Sequence, residues 1–255
     1  TFATGLLIVL GIESMTAVRA YLKNMTDSEL LTVMTAFMAT IAGSVMIVYA
    51  SFGAEPGHLL TASLMSAPAS FVISKLIRPP SQRPVSSAEE KVFIEKDSHN
   101  VIDAASRGAS DGLHLALNVC AMLITFLGLV FIVDTFLGGI SRHLLKVVGA
   151  ILAPDYKGLL PEQITLKSLF GLLFSPFALL MGVPRTDILT VGQLLGTKTV
   201  LNEFLAYIDL QSVKESLQPR SYLLSIYALC GFANPGSLGI LIAGMTGLAP
   251  ERRKE

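Results

Sequence analysis

Apolar residues run along this chain in long blocks, and five of them carry no Asp, Glu, Lys or Arg: Leu30–Ala54, Pro56–Ser74, Gly112–Val133, Ser168–Pro184 and Ser221–Pro250. Against the ~20 apolar residues that cross a ~30 Å hydrocarbon core, the first three are predicted to be spans and the fourth is marginal. The fifth is long enough to hold a break. Inside the first block, "ATIAGSVMIVYASFG" (39–53) places Thr40, Gly43 and Ser44 mid-span, where they pack poorly and carry polar groups, so the helix is predicted to break there beside a ligand. In the fifth, "ANPGS" (233–237) makes a break chemically plain. Pro235 removes a backbone donor and clashes with the preceding turn, while Gly236 tolerates the rearranged backbone. Backbone groups freed by a break in lipid are tolerated only where they face protein or a polar cavity, so both breaks are predicted to face a site.

Composition agrees with the blocks. The chain is 52% hydrophobic and 15% charged, with a mean hydropathy of +0.62, far from the roughly one-quarter charged content of a soluble domain. It reads as an integral membrane protein. The formal net charge is zero, so nothing points to nucleic acid. Cys120 and Cys230 lie in apolar stretches, where buried free thiols are expected rather than a disulfide. The chain starts without Met inside an apolar stretch and stops at "ERRKE", and it reads as a piece of a longer protein.

Basic residues set the orientation. The linker after the second block holds Lys75, Arg78, Arg83, Lys91, Lys96 and Arg107, whereas the turn "GAEPG" (53–57) has none. By the positive-inside rule the linker is cytoplasmic and the turn external. Pro79 and Pro80 mark a surface loop, and Val101–Asp111 is predicted to be a short amphipathic helix at the interface.

Charge within the blocks' neighbourhood needs a reason, because an ionised side chain at mid-bilayer costs ~2.5–3.5 kcal/mol on insertion scales. Glu13 follows "TGLLIVLGI", and Glu203 sits in "GTKTVLNEFLAYIDL" beside Asn202 and just after Lys198. After each comes a polar linker and then an interrupted apolar helix: Glu13 precedes Thr40 by 27 positions and Glu203 precedes Asn234 by 31, an internal repeat in near register. Repeats with interrupted helices and intramembrane carboxylates mark secondary transporters, which hold substrate and coupling ions at half-helix ends and freed carbonyls.

The motifs "MATIAGSV" (38–45), "MGVP" (181–184), "GTK" (196–198), "NEFLAY" (202–207) and "GFANPGSLGI" (231–240), with "ESMTAVRAYL" (13–22), together resemble the concentrative nucleoside transporters. The resemblance covers the chain apart from roughly 79–110 and implies three outer helices upstream and one downstream. It puts Glu203, Asn234 and Ser237 on the ribose hydroxyls, with Phe232 and Ile208 lining the pocket, Glu13 on the nucleobase side and Val45 packing on the base. It also implies a sodium site of backbone carbonyls at Val9, Thr40 and Ile41, with the Thr40 hydroxyl as a further oxygen. In one place the chain departs from the pattern: "LIVLGIE" (7–13) has Leu10, Gly11 and Ile12 where the family carries polar base-reading groups, and Leu6 where an Asn is expected. Sugar recognition is therefore expected to be kept, base recognition to be altered, and coupling to be to Na+ or, through Glu13 or Glu203, to H+.

Other polar residues have ordinary readings. His114, with Asn118 one turn on, is better read as an interfacial helix end than as a proton relay, and His58, His99 and His143 show no metal-ligand spacing. Lys198 is either a charge partner for Glu203 or a side chain that snorkels to the surface. Asp134 and Asp209 are read as interfacial ends. "GTKTV" is not a phosphate loop.

The expectation is an all-α integral membrane fold of inverted repeats, with re-entrant helical hairpins and broken transmembrane helices. It divides into a first repeat (1–77), a linker (78–111), a scaffold span (112–145) and a second repeat (146–255). The expected activity is nucleoside import by cation symport through alternating access in the inner or plasma membrane, as a homotrimer without an organic cofactor. A polytopic membrane enzyme and a structural or channel protein are the alternatives. Neither gives the Glu13/Glu203 repeat a reason.

Overall fold

The computed structural model describes Leu22, residues 25–80, 99–152 and 164–248, and Arg252. Every regular element among the described residues is helical. Helix α1 (Asp27–Ala39) opens with a reciprocal cap, in which the Thr26 hydroxyl accepts from the Glu29 N–H and the Glu29 carboxylate accepts from the Thr26 N–H at 2.9 Å. It ends where Thr40 turns extended, and the chain resumes as α2 (Gly43–Ser51). The first break therefore occupies Thr40–Ala42, with Gly43 and Ser44 already in the first turn of α2. Gly53, at φ +90°, turns the chain into α3 (Pro56–Ile77), which starts on Pro56, where a missing N–H costs no intrahelical bond.

Helix α4 runs unbroken from Val101 to Leu152, 52 residues. The interfacial helix expected at Val101–Asp111 is the first part of this element, because nothing between Gly108 and Gly112 interrupts the backbone ladder and no proline occurs before Pro154. Asn100 caps its start, accepting from the Asp103 N–H at 2.8 Å. Asp134 and Ser141 on α4 accept the backbone N–H groups of Leu166 (2.6 Å) and Ile164 (3.0 Å), so α4 grips the start of α5 (Leu166–Leu180). Asp134 thus helps to cap the start of α5.

Helices α5 and α6 (Ile188–Gly196) pack too closely for side chains between them. A Cβ on Gly192 would lie 2.5 Å from the Gly171 carbonyl oxygen, and one on Gly196 would lie 2.2 Å from the Phe170 Cβ. A π turn (Thr197–Leu201) and one extended residue, Asn202, separate α6 from α7 (Glu203–Val213). The α6–α7 hairpin is closed at its base, where the backbone N–H of Gln218 donates to Asp187 Oδ2 at 3.0 Å. Asp209 on α7 pairs with Lys167 at 2.7 Å.

Helix α8 (Pro219–Leu229) gives way at Cys230, and α9 begins at Pro235. Here the structure corrects the expected role of Pro235. It starts the second half-helix, and the break lies upstream over Cys230–Asn234, opened by Gly231 at φ +110°.

Charged groups collect at two ends. Arg78 pairs with Asp27, Lys75 Nζ donates to the Ser28 hydroxyl at 2.9 Å, and Arg252 donates to the Met25 carbonyl and Asp27. At the opposite end the Tyr222 hydroxyl donates to the Gly53 carbonyl at 2.9 Å, and Lys214 lies over the Tyr222 ring. Between these ends the outward surface is apolar: Leu76, Ile124, Phe131, Phe136, Leu172 and Leu180 are all exposed. Contiguous exposed apolar surface of this kind suits lipid, not water. Cys230 is buried as expected, but Cys120 is exposed, because its position on α4 faces outward.

Candidate functional site

Glu203 opens α7 and is 7% exposed. Its neighbour Asn202 is the helix cap, taking the Leu205 N–H on Oδ1 at 2.8 Å. The carboxylate is therefore held at a helix N-terminus, where the backbone dipoles favour negative charge. Each of its oxygens accepts one hydrogen bond from another element: Oε1 from the Tyr49 hydroxyl at 3.0 Å, Oε2 from Asn234 Nδ2 at 2.7 Å. Asn234 is the N-cap of α9, and its Oδ1 accepts from the Ser237 N–H at 2.8 Å. That cap fixes the amide with its NH2 toward Glu203. A carboxylate has about four lone-pair sites, so each oxygen retains one for a ligand hydroxyl.

Tyr49 is fully buried on α2 and stacks on Tyr207 of α7, with ring centroids 4.3 Å apart. The Tyr207 hydroxyl in turn donates to the Ile226 carbonyl at 2.9 Å, joining α7 to α8. Sequence reasoning missed Tyr49. Its signal was present, since a phenol inside a charge-free span needs a partner for its O–H.

The two helix breaks meet. A Cβ on Gly231 would lie 2.8 Å from the Ala39 carbonyl oxygen and 3.0 Å from that of Met38, and Phe232 stacks on Phe37 at 5.9 Å. Glu203, Asn234, Ser237, Phe232, Thr40 and Ile41, all singled out from sequence, thus belong to one interior region, and all but Phe232 are buried. Val45 lies one turn before Tyr49 on α2, partly buried against the same core. Ile208 is 39% exposed. Five residues beyond Glu203 on a helix, it is rotated by about 140° from the carboxylate. Val9 and Glu13 lie outside the described residues, as do the side chains of His114 and Asn118.

Thr40 donates its hydroxyl to the Ala36 carbonyl at 2.8 Å, which leaves the oxygen's remaining lone pair free. Among the described residues no backbone N–H donates to the Thr40 or Ile41 carbonyl. Oxygen donors of this kind suit a hard alkali cation. No His, Cys, Asp and Glu cluster able to hold a metal occurs among the described residues. Lys198 does not snorkel to the surface: it lies near enough to Glu203 for the two charges to interact, and its hydrogen bonds go elsewhere. Its ammonium donates to the carbonyls of Ala228 (2.9 Å) and Cys230 (3.4 Å) at the end of α8.

Comparison with known proteins bears directly on this arrangement. A family profile described as "Na+ dependent nucleoside transporter C-terminus" matches residues 58–255. The chain belongs to this nucleoside transporter family. Relatives include solute carrier family 28 member 3 of Rattus norvegicus, 39% identical over 99% of this chain and 36% of that protein. Sodium/nucleoside cotransporter 1 of Mus musculus is 35% identical over 93% of the chain and 37% of its own length. Among solved structures, the nucleoside transporter family is represented by CNTnw in an inward-facing substrate-bound state, at 34% identity and a TM-score of 0.83 over 99% of this chain and 57% of that one. A CNTnw variant in an outward-facing state gives a TM-score of 0.84. The chain spans little more than a third of the two solute carriers and somewhat over half of CNTnw. The names of the matched family and of these relatives specify transport, and none specifies an enzyme.

Proposed function

We propose that the protein carrying this chain imports nucleosides by Na+ symport through alternating access, and that Glu203 is the anchor for the sugar. The observation that carries this reading is the Glu203 carboxylate, buried where two helix breaks meet and held by Tyr49 and Asn234 so that both oxygens keep accepting capacity. A vicinal diol can donate to both oxygens of one carboxylate at once. The ribose hydroxyls are assigned to Glu203, Asn234 and Ser237, with Phe232 nearby, and the base to the side of Glu13 and Val45, whereas Ile208, turned away from the carboxylate, is left outside the pocket. Altered base recognition follows from Leu10, Gly11 and Ile12.

For the ion, Thr40 and Ile41 with Val9 make the proposed Na+ site. The free carbonyls at the first break support it, as do relatives whose names specify sodium. Proton coupling through Glu203 or Glu13 is the competing outcome of the test.

The hairpin α6–α7 is proposed to be re-entrant. Its arms, 188–201 and 203–213, extend ~21 Å and ~16 Å, short of a ~30 Å core. Both arms end at the face bearing Gly53, the external side by the positive-inside rule. Inverted repeats are supported by the contact between the two breaks. The repeat, linker and scaffold divisions at 77, 111 and 145 are kept as proposals, with the scaffold part of α4 as the core of a homotrimer.

Uptake of labelled uridine and adenosine by the full-length protein in proteoliposomes tests the reading, under an imposed Na+ gradient and then a proton gradient, with Glu203→Gln as control. Na+-driven uptake lost in Glu203→Gln is the expected result. Uptake driven by protons alone would move the coupling to a carboxylate, and absence of any nucleoside uptake would overturn the function.

A further inference from the structure

The two helix breaks differ in what meets their carbonyls. At Thr40–Ala42 the Thr40 and Ile41 carbonyls receive no N–H among the described residues. At the other break, the Ala228 and Cys230 carbonyls at the end of α8 both receive the Lys198 ammonium, at 2.9 and 3.4 Å. A helix end orphans its last carbonyls and carries the negative pole of the dipole, so a cation there is favoured twice over. Lys198 reaches them from the π turn Thr197–Leu201, a wider helical turn of the kind found at functional sites. The same side chain lies five residues before Glu203, and Cys230 lies four residues before Asn234. One ammonium therefore ties the two segments that bring Glu203 and Asn234 together.

We propose that the Lys198 ammonium is a tethered cation standing in the second helix break, where it fills the carbonyl cradle that a free cation would otherwise enter and positions Glu203 against Asn234. Of the two breaks, only the first then responds to an ion gradient, because the cation in the second cannot leave. Lys198 is a positioning residue, acting on the sugar through Glu203. Its link to transport rests on the nucleoside reading above, whereas the cradle itself does not.

Two readouts separate those parts. The first is thermal unfolding of the full-length protein in detergent, for wild type, Lys198→Ala, Lys198→Met and Lys198→Arg, titrated with propylammonium chloride and with choline chloride as an ionic-strength control. Lys198→Ala and Lys198→Met are expected to unfold a few degrees below wild type, since each loses a charge-assisted hydrogen bond to buried backbone carbonyls. Propylammonium should recover at least half of the loss in Lys198→Ala, where it has room, and little in Lys198→Met, whose stem fills the space. Lys198→Arg should stay near wild type. The second readout is nucleoside uptake, expected to fall at least tenfold in Lys198→Ala and to rise again with propylammonium. Lys198→Met as stable as wild type, or Lys198→Arg as damaged as Lys198→Ala, would overturn the tethered cation. If Lys198→Ala cannot be purified, the Arg and Met variants decide alone. A wild type that moves no nucleoside would sink the transport reading and leave the thermal result standing.

Discussion

Tyr49 and Glu203 lie 154 positions apart in sequence, yet the Tyr49 hydroxyl donates to Glu203 Oε1 at 3.0 Å in the interior of the protein. The bond joins α2, which follows the first helix break, to α7, which opens at the tip of the α6–α7 hairpin. Tyr49→Phe keeps the stack on Tyr207 and deletes only this donor. Leaving one oxygen of a buried carboxylate short of a partner costs ~1–3 kcal/mol. Thermal unfolding should register the loss, and the nucleoside KM should shift by several-fold in the same variant.

Glu203→Gln is the sharper lesion. The amide can keep Tyr49 on its oxygen, but its NH2 then faces the NH2 of Asn234, whose own orientation is fixed by the cap on Ser237. Uptake is expected to fall by about 10- to 150-fold, matching the ~1.5–3 kcal/mol of a charged hydrogen bond. Surface expression, read alongside uptake, should change far less, and the unfolding temperature should drop by an amount comparable to that of Tyr49→Phe. A collapse in expression would assign Glu203 to folding instead.

At Gly231 both the backbone and the space exclude a side chain. The residue sits at φ +110°, and a Cβ would come 2.8 Å from the Ala39 carbonyl oxygen. Gly231→Ala should destabilise by about 2–4 kcal/mol, the left-handed backbone and the overpacking adding to each other. Gly239→Ala, where a Cβ meets nothing within 4 Å, is the matched control and should leave unfolding unchanged or slightly raised, since Ala suits a helix interior better than Gly.

The contact of α5 with α6 is equally intolerant. Gly192→Ala puts a methyl 2.5 Å from the Gly171 carbonyl oxygen, a backbone atom that cannot swing aside. A loss of about 1–3 kcal/mol is expected. Fluorescence-detected size-exclusion after a heating series measures it, and unaltered melting would mean that the two helices separate at little cost.

Asp187, in the turn between α5 and α6, gives the protein an acid-sensitive point outside the spans. The Ser221 hydroxyl lying near it, with the hydrogen bonds from the Gln218 N–H and the Thr186 hydroxyl, holds its carboxyl below the usual range, against the opposing effect of burial. A depressed folded-state value stabilises the fold above the unfolded value of about 3.9 and is lost as the pH falls through the folded value. Melting temperature followed from pH 7 to pH 3 should fall less steeply in Asp187→Asn than in wild type, and parallel curves would remove Asp187 from the acid response.

Much of the site was legible because polar atoms in an apolar span are costly and so stand out. Glu203, Asn234, Thr40 and the position of both breaks could be read from that rule, although Pro235 marks where a half-helix starts, not where the previous one fails. Tyr49 and Lys198 were harder. Their partners are a carboxylate 154 residues away and two backbone carbonyls, and no spacing rule reports either contact. The continuity of α4 was hidden by charge: Asp103, Arg107 and Asp111 make its first turns look like a separate surface helix, while the backbone ladder passes from them into the apolar part without a break.

The α6–α7 hairpin is fastened to α8 and α9 along its whole length. Asp187 clasps it at the base, Tyr207 holds the Ile226 carbonyl midway, and Lys198 and Glu203 bind at the tip. A flap swinging on its own hinge would have to shed all of these bonds together. The cheaper motion carries α6 through α9 together with α1 to α3, to which Tyr49, Gly53 and His58 tie them, and the joints that permit it must then lie at the edges of that larger body. On the side of α4, the hydrogen bonds to the start of α5 among the described residues are two, accepted by Asp134 from Leu166 N–H and by Ser141 from Ile164 N–H.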